Sequence, residues 1–160
     1  MLRRSLLALA FLAVLPAISF AGPFTAYGPQ FGFTSTPDQF FVGGHLKWAG
    51  VAQQLDFVPG IDLGFGGNST MVSLNGDFHY RLQTKTTWRP YLGGGIGIHF
   101  VSSDNSGPSS DNSNTVAGGH FIAGADVLAK GGSRFFTELK LGFSDSPDLK
   151  VVAGFNFAAR

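Results

Sequence analysis

The stretch Val72-Ser73-Leu74-Asn75-Gly76-Asp77-Phe78-His79-Tyr80-Arg81-Leu82 alternates without a break. Val72, Leu74, Gly76, Phe78, Tyr80 and Leu82 fall on one side, and Ser73, Asn75, Asp77, His79 and Arg81 on the other. Successive side chains of a strand point to opposite faces, so this segment predicts a strand with one apolar and one strongly polar face. The pattern recurs, less cleanly, along the chain. Turn residues divide it into predicted strands near 24–34, 39–49, 55–66, 70–83, 87–102, 115–129, 133–144 and 148–158. The connections alternate in character. Thr36-Pro37-Asp38, Gly66-Gly67-Asn68, the long stretch 102–115 and Ser144-Asp145-Ser146-Pro147-Asp148 form one set. Residues 50–54, 84–87 and Lys130-Gly131-Gly132 form the other. Eight antiparallel strands with long loops at one end and short turns at the other predict an all-β, up-and-down barrel with meander topology.

Parity then assigns two faces. One carries Phe40, Val42, Leu46, Trp48, Phe57, Ile61, Leu63, Phe65, Trp88, Leu92, Ile96, Ile98, Phe100, Phe121, Phe135, Leu139, Leu141, Phe143, Val151, Phe155 and Phe157, with no charge among them. The opposite face holds His45, Lys47, Asp56, Asp62, Asp77, His79, Arg81, Arg89, Tyr91, His99, His120, Asp126, Arg134, Glu138, Lys140 and Asn156. On the apolar face the rings cluster at strand ends: Phe40, Phe65, Phe100 and Phe143 near the long loops, and Trp48, Phe57, Tyr80, Trp88, Phe135 and Phe157 near the short turns. Two bands of rings separated by aliphatic and small residues match the interfacial girdles of a membrane barrel. The apolar face is therefore expected to face lipid and the polar face to fill the lumen. A water-soluble barrel would bury those rings instead.

The 160-residue chain has room for one domain. Its first 21 residues read as a secretory signal: basic Arg3-Arg4, an apolar run from Leu6 to Leu15, Pro16, and small residues at Ser19 and Ala21. Cleavage is expected near Ala21, leaving 22–160 as a single barrel domain with no separate periplasmic domain. Without Arg3 and Arg4, nine cationic residues remain against ten acidic ones. No basic field suited to nucleic acid exists. The absence of cysteine excludes thiol catalysis and disulfides. Twenty-three glycines and 17 phenylalanines fit a membrane barrel, in which inward Gly93, Gly95, Gly97, Gly118, Gly124, Gly142 and Gly154 make room for opposing side chains such as Phe136.

Arg89-Pro90-Tyr91-Leu92-Gly93-Gly94-Gly95-Ile96-Gly97 and the closing Val151-Val152-Ala153-Gly154-Phe155-Asn156-Phe157, with the signal and strand count, carry a family resemblance. The chain resembles the small eight-stranded outer-membrane barrels of the OmpA/OmpX type, over essentially all of 22–160. The resemblance implies a transmembrane barrel in the bacterial outer membrane, with lipid bilayer, lipopolysaccharide and the outer-membrane assembly machinery as partners, and a monomer. It departs from the family at the end, where Ala158-Ala159-Arg160 follow the last aromatic.

The lumen charges nearly cancel, and hairpin counting sets Lys47 opposite Asp56 and Asp126 near Arg134 or Phe136. Buried charges must pair, so a salt-bridged polar plug is expected; an open channel needs more strands. His99 and His120 flank the long loop on adjacent strands, with His45 expected at a similar height, and together they are the candidates for a Zn²⁺ site. The expected function is a non-enzymatic outer-membrane barrel with an envelope-structural or surface-interaction role and no cofactor, catalytic residue or metal. The alternatives are a small-ligand-binding barrel and a lipid A-modifying hydrolase. The deacylases resembling this fold carry a serine two residues after a strand histidine. Here Lys47, Arg81, Val101 and Ile122 occupy those positions. A Ser-His-acid set across strands, from Ser73 or Ser102 with His120 and Glu138, stays open. The presumed outer loops carry only acidic charges, Asp38, Asp104, Asp111, Asp145 and Asp148, so lipopolysaccharide phosphates would be met through shared divalent cations.

Overall fold

The computed structural model describes residues 22–66, 69–103 and 113–159. The expected signal peptide and most of the loop 102–115 lie outside them. Eight strands follow one another: β1 (Phe24–Ser35), β2 (Gln39–Ala52), β3 (Leu55–Gly66), β4 (Ser69–Arg81), β5 (Trp88–Ser103), β6 (Ser113–Leu128), β7 (Arg134–Ser144) and β8 (Leu149–Ala158). Each pairs antiparallel with the next, and β1 pairs with β8, which closes the barrel. Closure leaves no unpaired sheet edge, the condition for strands to cross a bilayer.

The faces are as parity assigns them. Outward Ile61 pairs with Leu74, and Leu74 with Ile98. Inward Asp62 pairs with Ser73, and Ser73 with His99. Leu74 is 44% exposed and Ile96 66%, whereas Asp56 and Ser73 are fully buried. No outward position of the described strands carries a charge. At the short-turn end the rings touch in series around the wall. Phe24 lies 5.3 Å from Trp48, Trp48 6.4 Å from Phe57 and Phe57 5.1 Å from Phe78. From Tyr27 the series runs through Phe157 and Phe155 to Phe135.

One local expectation is corrected and one is sharpened. The β2–β3 connection is not 50–54: the strand runs to Ala52, and the turn falls at Gln53 and Gln54, the latter at φ 63°. Gly50, at φ 68°, lies where the β2 register shifts, and its N–H donates to Asp56 Oδ1 at 3.0 Å. A glycine there permits a bulge because no Cβ opposes positive φ. The β7–β8 connection, expected only as one of the long-loop set, folds into the mouth, burying Ser146 and Pro147. Gly118 and Gly142 make this possible. A Cβ on Gly118 would lie 2.3 Å from Ser146 N, and one on Gly142 2.1 Å from Pro147 O.

Candidate functional site

An eight-stranded barrel is just wide enough for its inward side chains to fill it. Here they form a polar network crossing from wall to wall. At mid-height, Lys140 on β7 bonds Asp77 on β4 and lies 3.5 Å from Glu138 Oε2. Asp77 Oδ1 also meets His120 Nε2 at 2.7 Å. Tyr91 on β5 donates its hydroxyl to Glu138 Oε1 at 2.8 Å, and its ring stacks on His79 at 4.5 Å. His79 Nε2 lies 3.6 Å from the same Glu138 oxygen. Beside this layer, Asp62 on β3 accepts from Gln30 Nε2 at 2.6 Å, Asn75 Nδ2 at 2.8 Å and Lys150 Nζ at 2.5 Å. The Lys150 ammonium also sits 4.2 Å above the Phe41 ring. Buried Phe41, Phe136 and Val152 form an apolar cluster within the filling.

Both expected ion pairs form. Lys47 Nζ is 3.2 Å from Asp56 Oδ2, and Arg134 bonds Asp126, which lies in register with Phe136. The histidines do not gather as expected. His45 reaches Asn156 Oδ1 at 2.8 Å and packs edge-on against Phe136. In the β5–β6 register His99 faces Val116, while His120 faces Gly95, so their backbone positions are staggered along the barrel, although both rings line one cavity of about 10 Å³. His99 Nδ1 meets Ser73 Oγ at 2.8 Å, and Ser146 Oγ lies 3.5 Å from its other nitrogen. Thus Ser73 pairs with His99 rather than with His120, and Glu138 binds Tyr91 and Lys140. Ser102 is exposed at the rim. The Ser-His-acid set considered from sequence is not assembled.

Among the described residues, the three metal-ligating groups brought within 4.8 Å of one another are Asp77, His79 and Glu138. The Lys140 ammonium, in contact with both carboxylates, already occupies the place of a cation there. Cavities in this part of the lumen are about 10 Å³, near the size of one water. Sequence reasoning missed Lys150, Gln30 and Gln39. Lys150 shares parity with Val152, Gly154 and Asn156, which was the available signal for its inward course.

No family model matches the chain, and no curated protein sequence does either. Among solved structures, Neisserial surface protein A is similar with a TM-score of 0.67 at 12% identity, over 85% of this chain and 96% of that one. The N-terminal β-barrel domain of Pseudomonas aeruginosa OprF gives 0.65 at 14% identity, over 86% and 99%. A de novo designed transmembrane β-barrel gives 0.56 at 18% identity, over 86% and 97%. At these identities the likeness is one of fold: a closed eight-stranded transmembrane barrel.

Proposed function

We propose that this chain, which has the fold of the small eight-stranded outer-membrane barrels, is a non-enzymatic outer-membrane protein with an envelope-structural and surface-interaction role. Its export would follow signal cleavage near Ala21. Its partners would be the bilayer, lipopolysaccharide and the outer-membrane assembly machinery. The observation that carries the reading is the pairing of the buried lumen carboxylates with cations of the same network. Asp62, Asp77, Asp126 and Glu138 each hold a cationic partner inside the barrel. Ser73 and His99 point away from the lipid face, where a lipid substrate would lie, and among the described residues no carboxylate bonds His99. A general base needs a substrate within hydrogen-bond reach, and the space beside His99 admits about one water.

The decisive experiment compares the lipid A mass spectrum of cells with and without the gene, and of cells carrying His99→Gln/His120→Gln. Glutamine keeps hydrogen-bonding capacity and removes acid–base and metal-ligating ability. Identical spectra in all three are the expected result. A missing or added acyl chain that depends on the gene and on these histidines would replace the structural reading with a lipid A-modifying one.

A further inference from the structure

The two mouths of the barrel differ in charge and in filling. Ser146 and Pro147 fold into the long-loop mouth, whereas the short-turn mouth keeps a cavity of about 300 Å³. Its charged lining comprises Lys47, Arg81, Arg89 and Arg134 against Asp56 and Asp126, an excess of two positive charges. The carboxylates are spoken for. Asp56 sits between Lys47 at 3.2 Å and Arg81 Nε at 3.1 Å, and Asp126 binds Arg134. Arg134 is further committed to the Asp126 and Thr87 carbonyls. Among the described residues Arg89 is left without a carboxylate, and Arg81 shares Asp56 with Lys47. Arg89 is exposed and makes no ion pair among the described residues. Arg81 touches Asp56 through Nε without an aligned hydrogen bond, and its side chain is 42% exposed.

Arg81 and Arg89 stand together. Arg81 pairs with Tyr91 across β4–β5, and Leu82 N bonds Pro90 O, which makes Arg89 the diagonal neighbour of Arg81 on the same face. Asp126 faces Arg89 in the β5–β6 register but is held by Arg134, and Asp56 is shared by Arg81 and Lys47, so the pair of guanidinium groups has less than one carboxylate each. Both arginines also line a second cavity, of about 560 Å³, which opens outside the β4–β5 turn beside Leu82, Thr84 and Thr86. Leu82 and Trp88 next to it belong to the exposed apolar face. Guanidinium groups match the geometry of phosphate oxygens and bind them in bidentate fashion. Such pairs gain strength where water is partly excluded, as at a membrane-bounded mouth.

We infer that the short-turn mouth is a phosphate-binding site, in which Arg81 and Arg89 clasp one phosphate group and Lys47 supplies positive charge behind them. The phosphate comes either from a free anion entering the lumen or from a phospholipid headgroup whose chains run along the Leu82 and Trp88 side. This assignment is independent of the structural role proposed above.

The test uses the full barrel, folded in lipid nanodiscs and isotope-labelled. One arm titrates inorganic phosphate into phosphatidylcholine discs; the other replaces phosphatidylcholine stepwise by phosphatidylglycerol. Nuclear magnetic resonance follows the arginine Nε–H groups and the backbone amides of 81–91. Saturable shifts at Arg81 and Arg89, weakened at least ten-fold in Arg89→Gln and in Arg81→Gln/Arg89→Gln, are expected in one arm, and that arm identifies the source. Arg89→Gln alone keeps the test valid if the double variant fails to fold, since Arg89 supports no ion pair. Absence of saturable shifts in both arms would overturn the proposal. So would shifts that persist in Arg89→Gln, or that appear equally at exposed Lys85, which mark an adventitious ion only.

Discussion

At the scale of single residues, the lumen is governed by the cost of an unpaired charge far from water. Lys150 is nearly fully buried, and Asp62 is its charge partner, held in turn by Gln30 and Asn75. Lys150→Met keeps the packing on Phe41 but strands the Asp62 carboxylate. Breaking a buried pair from one side costs about 3–5 kcal/mol, which denaturant unfolding in micelles should read directly. Lys150→Met/Asp62→Asn should recover most of the loss, because a neutral amide still meets Gln30 or Asn75. A double variant as unstable as the single one would show that packing, rather than charge, dominates there. The outward face obeys the opposite rule. Ile96→Arg places a charge in the middle of the lipid band and should cost about 2–4 kcal/mol, or block insertion, in vesicle folding titrations. Ile96→Ala keeps that face apolar and should cost far less. Equal tolerance of both would contradict the face assignment.

At the scale of elements, the seam where β1 meets β8 is the most tightly drawn. A Cβ on Gly28 would lie 1.7 Å from Phe155 O, and one on Gly32 1.9 Å from Val151 O. Neither oxygen can move without shifting β8. Gly44 and Gly76 face outward with their nearest neighbours at 3.6 and 3.7 Å. Gly28→Ala and Gly32→Ala should therefore each destabilise the barrel by about 1–3 kcal/mol, the usual cost of overpacking, while Gly44→Ala and Gly76→Ala stay near neutral. Amide exchange should rise first in β1 and β8; an even rise over all strands would contradict a seam defect. Strands of this kind were legible in the sequence because lipid on one side forces strict alternation, as in 72–82. Hairpin pairs such as Lys47 with Asp56 were legible too, since a short turn fixes which residues face one another. The pairs spanning the lumen were not. Lys140 on β7 meets Asp77 on β4, and Lys150 on β8 meets Asp62 on β3. Those meetings depend on the stagger of the closed barrel, which no local pattern encodes. Inward positions also accept Phe41, Met71 and Val152 as readily as charges, so parity alone did not show what fills the lumen. Nor did turn composition show that Ser146 and Pro147 fold inward, because this depends on the absent side chains of Gly118 on β6 and Gly142 on β7.

At the scale of the whole molecule, the filling is uneven along the axis, and this decides what can pass. The short-turn vestibule of about 300 Å³ gives way at mid-height to a cavity of about 10 Å³ between His45, Tyr91, Phe136 and Lys140, with another of that size beneath Ser146 and Pro147. The Tyr91 ring occupies the space over Gly124, and Phe136 that over Gly154, where added Cβ atoms would come within 2.7 Å of each ring. Ions can therefore enter the vestibule but meet a wall of rings backed by the Lys140–Asp77–His120 layer. Planar bilayers containing the folded barrel should show no steps of porin size at either polarity. Tyr91→Ala/Phe136→Ala removes both rings and merges the mid-height cavity with the vestibule, since both already share Lys47 and Asn156 in their linings. The Lys140 layer and the inward β7–β8 connection remain, so this variant should stay closed as well. Current through it alone would place the barrier at the two rings. Current through the unaltered barrel would contradict a filled lumen and make the polar network the wall of a pore.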